Sequence, residues 1–264
     1  MATTATDDAS PTAVGPRRAS LASADPHTVA SFYRAVLGWA VTETNGRLIA
    51  SVAGTPVADI ADIADIADIA DITTADGSPG WLIHFDVDDL GTALTAVSNA
   101  NGAVLPPADG HSAETAVVID PNGTRFALRA TATRHSKRPA HGTLAWGELI
   151  TDDVETSAAF YREAFGWGLT EPRGPLGRRE WQTHGRSFSG LLPRPPAMPA
   201  ETPAYWDVYF AVDDIEAAAT AAIEHGGTRL MPPMPIEIGT ITVFLDPAGA
   251  VFTLVQPTTE EAAA

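Results

Sequence analysis

The sequence has no cysteine, and this absence removes several kinds of chemistry at once. Disulfides, thiolate metal ligands and a cysteine nucleophile are all excluded. A chain without cysteine fits a reducing compartment, and we expect a cytoplasmic protein. The polar stretch that follows Met1 has no apolar run behind a basic start, so it does not resemble a signal peptide.

Basic residues and long apolar runs are scarce as well. The chain has 16 lysines and arginines against 33 aspartates and glutamates, which gives a formal net charge of −17. Such a surface repels phosphate backbones and anionic lipids, so neither nucleic acid nor a membrane is expected as a partner. No apolar stretch approaches the ~18 residues of a membrane span. Hydrophobic residues still make up 45% of the 264 residues, enough for one large domain or two small ones.

The chain contains two copies of one pattern, in the same order and at nearly constant spacing. Three segments of the first copy return in the second: SFYRAVLGWAVTE (31–43) as AAFYREAFGWGLTE (158–171), FDVDD (85–89) as FAVDD (210–214), and IDPNGTRF (119–126) as LDPAGAVF (245–252). The offsets stay between 125 and 128 residues, which indicates an internal duplication.

Each copy predicts a βαβββ unit that is repeated once, or nearly so. A first strand leads into a helix with apolar residues at helical spacing, and this helix ends at Gly38 or Gly166. The aspartates of VDD open a second helix, where acidic side chains cap free backbone amides. A last hairpin turns at DPNG or DPAG. We expect an α+β fold with modules at 15–130 and 142–257, a linker at 131–141 and disordered tails at 1–14 and 258–264.

These motifs resemble those of the vicinal oxygen chelate superfamily, which includes glyoxalase I, bleomycin-resistance proteins and extradiol dioxygenases. The resemblance rests on FYxxxxGW near a module start, VDD before a helix and DPxGxxF near a module end, and it covers roughly residues 15–257. The chain is similar in particular to two-module actinobacterial glyoxalase-like proteins. The resemblance implies tandem βαβββ-repeat modules whose mixed sheets form cups around a small-molecule site, although a fold alone does not fix the chemistry.

One segment of the first copy has no counterpart in the second. VADIADIADIADIADIT (57–73) repeats an Asp-Ile-Ala triplet where the second copy continues into a proline-rich stretch. A period of three matches neither a helix nor a strand, and the aspartates repel one another. We expect a surface loop over 58–73 that grew by expansion. A helical turn, an extra strand in part of it, and a lid role stay open.

The resemblance also implies where a divalent metal would be held, and those positions carry mostly unsuitable side chains. Metal-dependent members place ligands in the first strand of a module, in the strand before VDD and in the last strand. The corresponding positions here are Arg18 and Trp146, Leu82 and Asp207, and Ala127 and Thr253. Only Asp207 suits a metal, although a shift by two residues would add Glu148 or His84. We therefore expect no metal and no other cofactor.

Residues that lie an even number of positions from these sites on the same strand should line the cups, because side chains two apart on a strand share a face. The candidate catalytic residues are His84, which titrates near neutrality, and Glu148, whose pKa burial would raise. The candidate substrate-binding residues are Arg18, Asp86, Arg125, Trp146, Asp207 and Tyr209. The alternatives are a hydrogen-bonded core role for His84 and an arginine partner for Glu148.

Three functions stay open, and we favour the first. A metal-independent lyase, isomerase or cyclase would act on an aromatic or polyketide-like metabolite through acid–base chemistry at His84 or Glu148. A resistance-type protein would bind such a molecule without turnover. A metal-dependent glyoxalase or dioxygenase would need relocated ligands. In each case the partner is a small organic molecule, and the chain is expected as a monomer or homodimer.

Overall fold

The computed structural model describes residues 14–63, 80–106, 114–131 and 139–258. In the first module the elements are, in chain order, β1 (Val14–Ser23), α1 (Pro26–Leu37), β2 (Ala40–Thr44), β3 (Arg47–Val52), β4 (Thr55–Asp62), β5 (Trp81–Val87), α2 (Leu90–Asn99), β6 (Ala103–Val104), β7 (Thr115–Ile119) and β8 (Arg125–Ala130).

The second module repeats this order. Its elements are β9 (Leu144–Thr151), α3 (Val154–Phe165), β10 (Gly168–Leu169), β11 (Arg179–Thr183), β12 (Arg186–Pro193), β13 (Tyr205–Ala211), α4 (Ile215–Glu224), β14 (Thr228–Ile236), β15 (Gly239–Leu245) and β16 (Val251–Pro257).

Each module forms one eight-stranded mixed sheet, with the orders β2-β3-β4-β1-β5-β8-β7-β6 and β10-β11-β12-β9-β13-β16-β15-β14. The first and last strands of every βαβββ unit pair in parallel, which requires the crossover that its helix supplies. Two units join through antiparallel pairs of their first strands, β1 with β5 and β9 with β13. The predicted α+β fold of two tandem βαβββ-repeat modules is confirmed.

The helices begin and end where their sequence chemistry predicts. Asp89 and Asp214, each the last residue of a VDD motif, accept hydrogen bonds from the backbone N–H groups of the first turn. Gly38 and Gly166 end the first helix of each module in the left-handed conformation, at φ 66° and 67°. Glycine adopts this conformation without a steric penalty from a Cβ atom.

One hydrophobic core joins the two modules. It contains one face of each sheet and the buried sides of the helices, and α1 contacts α4 while α2 contacts α3. Tyr33 and Tyr161 stack on neighbouring tryptophans at ring distances of 5.0 Å each. Their hydroxyls donate to Asp246 and Asp120, which lie in the hairpin turn of the opposite module. The repeated FY motif therefore fastens each module to the other.

The face of each sheet that points away from this core carries a second, smaller apolar cluster, and we call these two faces the cups. Alternate residues of the first module build a small apolar cluster around Leu82 and Ala127, and those of the second build another around Trp146 and Tyr209. Both clusters are separate from the shared core. Because the other sheet faces pack together in that core, the two cups lie on opposite sides of it.

The beginning of the Asp-Ile-Ala segment is a strand, so the loop predicted over 58–73 is wrong for its first residues. Residues 58–62 belong to β4 and pair in parallel with β1, where Ser20 opposes Asp59 and Leu21 opposes Ile60. Ile60 is buried in the shared core, while Asp59 faces the cup. The first triplets of the repeat fit a strand because Ile60 then points into the core and Asp59 points to the opposite face. Residues 64–73 lie outside the described part of the chain.

The predicted tails and linker lie largely outside the described residues. Strand β1 begins at Val14, one residue inside the predicted tail. At the end of the linker, His141 accepts a hydrogen bond from the backbone N–H of Asp213. Among the helices that the structure describes, none has the length and apolar character to cross a membrane.

Candidate functional site

The cup of the second module brings four predicted residues together. Strands β9 and β13 pair so that Glu148 opposes Asp207 and Trp146 opposes Tyr209. All four side chains are buried, at between 0% and 6% exposure. They lie side by side because residues two apart on a strand share a face. The predicted grouping of Glu148, Trp146, Asp207 and Tyr209 in one cup agrees with this geometry.

Glu148 is fully buried and held by an arginine. Arg178 donates from Nε to Oε1 and from Nη2 to Oε2, both at 2.9 Å, and the indole of Trp146 donates to Oε2 at 3.2 Å. Burial raises the pKa of Glu148, while Arg178 and Trp146 oppose the rise. The alternative in which Glu148 is paired with an arginine is therefore confirmed, and both of its carboxylate oxygens have hydrogen-bond partners.

Arg178 was not among the residues predicted from the sequence. It lies just before β11, where its guanidinium is 5.6 Å from the centroid of the Trp146 ring. Its Nη1 atom also lies 3.5 Å from Glu180 and 3.6 Å from Glu237 at the tip of the β14–β15 hairpin. The stretch GPLGRRE shows neither a strand period nor a motif, so only a search for the partner of a buried acid would have identified this residue.

Asp207 is the second buried acid of this cup. Burial raises the pKa of Asp207 to about 7, and the charge of Glu148 adds to the rise, whereas hydrogen bonds from Thr253 and the Val208 backbone lower it. The Thr253 hydroxyl donates to Oδ2 at 2.7 Å, and the Val208 N–H lies 2.9 Å from Oδ1. A carboxyl group with this pKa can accept or release a proton near neutral pH.

The wall of the same cup is apolar and aromatic. Its buried cluster consists of Trp146, Tyr209, Ile238, Ile241 and Val255, with Met231 and Ile236 packed against it. Flat apolar walls with a few buried polar groups are typical of small-molecule sites.

The cup of the first module contains the remaining predicted residues. His84 forms a hydrogen bond with Ser20 at 2.8 Å, Arg18 binds Asp59 at 3.0 Å, and Arg129 binds Asp86 through two nitrogens. The hydrogen-bonded core role that was the alternative for His84 agrees with its 6% exposure. Arg125 lies on the same face of β8 as Arg129, because the two residues are an even number of positions apart on the strand.

The two predicted catalytic residues do not form one site. His84 lies in the sheet of the first module and Glu148 in that of the second, and their cups are separated by the shared core. Any acid–base chemistry must therefore use one of them with the neighbours of its own cup.

The donor set does not fit a divalent metal of the kind the resemblance implies. Within residues 14–63, 80–106, 114–131 and 139–258, no three His, Asp or Glu side chains converge on one point. Glu148 and Asp207 are the two acids on neighbouring strands of the second cup, but the guanidinium of Arg178 already neutralises Glu148. Of the positions that the resemblance implies, Trp146 belongs to the apolar cluster of the second cup, and the Thr253 hydroxyl donates a hydrogen bond to Asp207.

Known proteins resemble this chain over nearly its whole length. The chain is 28% identical to the putative glyoxylase CFP32 of Mycobacterium tuberculosis, over 93% of this chain and 96% of that protein. It is 27% identical to the anthracycline biosynthesis protein DauV of a Streptomyces species, over 89% and 90% of the two chains.

Solved structures share the fold at low sequence identity. The Mn(II)-bound glyoxalase of Novosphingobium aromaticivorans matches with a TM-score of 0.66 at 15% identity, over 93% of this chain and 83% of that one. The 2,3-dioxygenase LapB of a Pseudomonas species matches with a TM-score of 0.64 at 17% identity, over 94% and 93%. At these identities the likeness establishes the fold alone.

A family model matches both modules. The model describes a glyoxalase-like domain, and it covers residues 18–129 and again residues 148–255. Together these matches take in most of the chain and coincide with the two sheets. The chain belongs to the glyoxalase-like domain family, within the vicinal oxygen chelate fold.

Proposed function

We propose that the second module is a metal-independent acid–base site for an aromatic or polyketide-like metabolite, with Asp207 as the proton-transferring group. The observation that carries this proposal is the pair of buried carboxylates, Glu148 and Asp207, on neighbouring strands beneath an aromatic wall. The reaction class is a rearrangement driven by proton transfer, that is, an isomerisation, cyclisation or elimination.

The two acids have different roles because their partners differ. Arg178 donates hydrogen bonds to both carboxylate oxygens of Glu148, so neither oxygen is free to contact a substrate proton. Asp207 accepts hydrogen bonds from the Thr253 hydroxyl and the Val208 backbone amide, and burial raises its pKa to about 7, with a smaller contribution from the charge of Glu148. Asp207 then removes a proton from an acidic C–H or O–H group of the substrate and returns it at another atom. No oxidant or reductant is needed for such a step.

Relatives support the substrate class. The Streptomyces relatives DauV and DnrV are named as anthracycline biosynthesis proteins, and the chain covers 90% of each. The aromatic wall of Trp146 and Tyr209 suits a flat ring system, since stacked and edge-on ring contacts stabilise such a ligand. The mycobacterial relatives are named putative glyoxylases, but the absence of a fitting donor set in the described residues argues against metal-based glyoxalase chemistry here.

The test compares Asp207→Asn with Asp213→Asn in the full-length chain. Asp213 is a matched control because its side chain is 88% exposed and lies outside the cup. A panel of anthracycline aglycones and smaller hydroxyanthraquinones is incubated with protein in EDTA, and products are identified by mass spectrometry. Binding is followed by quenching of tryptophan fluorescence. We expect Asp207→Asn to reduce turnover by about 10²- to 10⁴-fold with little change in affinity, while Asp213→Asn stays active.

Two other outcomes would overturn the proposal. Binding of panel compounds without turnover by either protein would favour the resistance-type alternative, a sequestering protein. Loss of turnover in EDTA, with recovery on adding a divalent metal, would favour the metal-dependent alternative instead.

A further inference from the structure

An open cleft lies where the first helix of one module meets the second helix of the other. Helix α1 of the first module contacts α4 of the second, and the cleft beside this contact has a volume of about 310 Å³. Its lining residues are His27, Thr28, Ser31 and Phe32 of α1 and His225, which ends α4. Two imidazoles from two different modules therefore line one space.

The ring of His225 has its proton held on one nitrogen and its lone pair on the other. The Nδ1 atom lies 2.9 Å from the carbonyl oxygen of Ala221, one turn back in α4. A carbonyl oxygen can only accept a hydrogen bond, so Nδ1 carries the proton and Nε2 of the neutral ring has the lone pair. Metal-binding histidines are commonly oriented by a backbone carbonyl in this way.

The second histidine lies in the first turn of α1, beside a carboxylate. The carbonyl oxygen of His27 accepts a hydrogen bond from the Ser31 hydroxyl at 2.9 Å, which fixes the backbone of this turn. Asp25, which caps the same helix, lies near enough for its negative charge to interact with that of a protonated His27 ring. A negative charge beside the cleft favours a cation over an anion as its ligand.

A phenylalanine packed against a glycine brings the end of α4 up to α1. A Cβ atom on Gly227 would lie 3.0 Å from Cε2 of Phe32, so these two residues are in close contact. Gly227 follows His225 by two positions, which places this imidazole beside the first turns of α1. The same contact recurs at the other helix junction of the duplicated chain, between Phe160 of α3 and Gly102 after α2.

That second junction has the same packing without either histidine. The capping aspartates that begin α1 and α3 align His27 with Glu155. The residues that end α4 and α2 align His225 with Ala100. Because α2 and α3 pack together without imidazoles, the packing of α1 against α4 does not require them either, and the pair of histidines needs another explanation.

We propose that His27 and His225 bind one divalent transition-metal ion between the two modules, with water in its remaining positions. Imidazole nitrogen is a good ligand for Cu²⁺, Ni²⁺ and Zn²⁺, whereas Mg²⁺ and Ca²⁺ take oxygen ligands. In the part of the chain that the structure describes, no third His, Asp or Glu converges with them, so the ion has two protein ligands. This site is separate from the cups, and the proposal does not rest on the chemistry assigned to Asp207.

The probe is Ni²⁺, titrated by calorimetry into the untagged full-length chain in a buffer that does not bind metals. Mg²⁺ is its counterpart with a preference for oxygen ligands. We expect one Ni²⁺ to bind per chain and Mg²⁺ not to bind at the same concentrations. Because the ion joins α1 to α4 only in the folded protein, Ni²⁺ should also raise the unfolding temperature.

Two substitutions remove the ligands one at a time. His225→Ala and His27→Ala should each weaken Ni²⁺ binding by about tenfold or more and remove the rise in unfolding temperature, because each histidine supplies half of the protein ligands. His225→Ala should fold, since Ala100 occupies this position at the other junction. The matched control is His184→Asn, an exposed histidine at φ 49°, where asparagine is also accommodated, and it should bind Ni²⁺ as the parent does.

The parent protein alone keeps the test decisive if a variant does not fold. No Ni²⁺ binding, or equal binding of Mg²⁺, would overturn the proposal. So would Ni²⁺ binding that only one of the two substitutions weakens, or that His184→Asn weakens as much as His225→Ala does. Ni²⁺ binding that is preserved in Asp207→Asn would support a site apart from the proposed acid–base site, and its loss in that variant would overturn the assignment to His27 and His225.

Discussion

Replacing Arg178 with methionine tests the electrostatics of the second cup most directly. The change leaves Glu148, which is 0% exposed, without the guanidinium that binds both of its oxygens. Removing one partner of a buried ion pair costs about 3–5 kcal/mol, because the remaining charge stays out of water. We expect Arg178→Met to lower the free energy of unfolding by about this amount at pH 8. Urea unfolding followed by tryptophan fluorescence and circular dichroism measures it.

The loss should depend on pH in a defined direction. Without Arg178 the pKa of Glu148 in the folded protein rises further above its unfolded value of about 4.3, since burial then acts unopposed. A raised carboxyl pKa means that the folded state binds a proton more tightly, so stability falls as pH rises above the unfolded pKa. The penalty should therefore be smaller at pH 5 than at pH 8.

Two further variants isolate the charge on Glu148. In Arg178→Met combined with Glu148→Gln, the additional pH dependence caused by Arg178→Met should disappear, because Glu148 can no longer titrate, and only that of other groups such as Asp207 remains. Arg186→Met removes an exposed arginine and should change stability by less than about 0.5 kcal/mol. A penalty for Arg178→Met below about 1 kcal/mol at pH 8, or one that does not change with pH, would refute the assignment of Arg178 as the buried counter-charge.

Three other predictions follow from the same structure. Tyr33→Phe and Tyr161→Phe should each lower stability by about 1–3 kcal/mol, because each buried hydroxyl accepts from a tryptophan N–H and donates to an aspartate of the other module. Chemical denaturation measures both effects, and a neutral effect in either variant would contradict the link. Gly190→Ala should destabilise the protein by more than about 2 kcal/mol, because the added Cβ would overlap the carboxylate of Glu148. Gly168→Ala is the control, since a Cβ there meets only ordinary contacts and should be nearly neutral. Equal unfolding midpoints for the two variants would contradict the packing at Gly190. If Asp207 acts as the base, kcat/KM should rise with pH to a plateau above about pH 7, and a flat profile from pH 5 to 9 would exclude it.

The fold was accessible from the sequence because it depends on repeated local rules. The glycines that end α1 and α3, the aspartates that cap the helices after VDD and the DPxG turns each fix a local geometry. Their duplication then fixes the order of elements in both modules. The resemblance implied one cup position on each of β9 and β13, at Trp146 and Asp207, and the period of two of a strand then added Glu148 and Tyr209 to the same face.

The partners of the site residues could not be derived in the same way. Arg178 reaches Glu148 across 30 positions of sequence, from a turn that carries no periodic pattern. Asp59 is the first aspartate of a repeat whose period predicts no regular structure, yet pairing with β1 draws it into the sheet beside Arg18. Both contacts depend on tertiary pairing between strands, which local sequence chemistry does not specify.

The duplication explains why one chain can hold two different cups. The residues shared between the copies, such as the FY pair and the tryptophan after the helix-ending glycine, pack in the common core, where a change in volume is costly. The cup faces point away from that core, so their side chains can change without disturbing it. The result is Arg18 against Trp146, Leu82 against Asp207 and His84 against Tyr209 at matching registers. The same sheet can therefore carry different side chains on its two cup faces while the shared core stays unchanged.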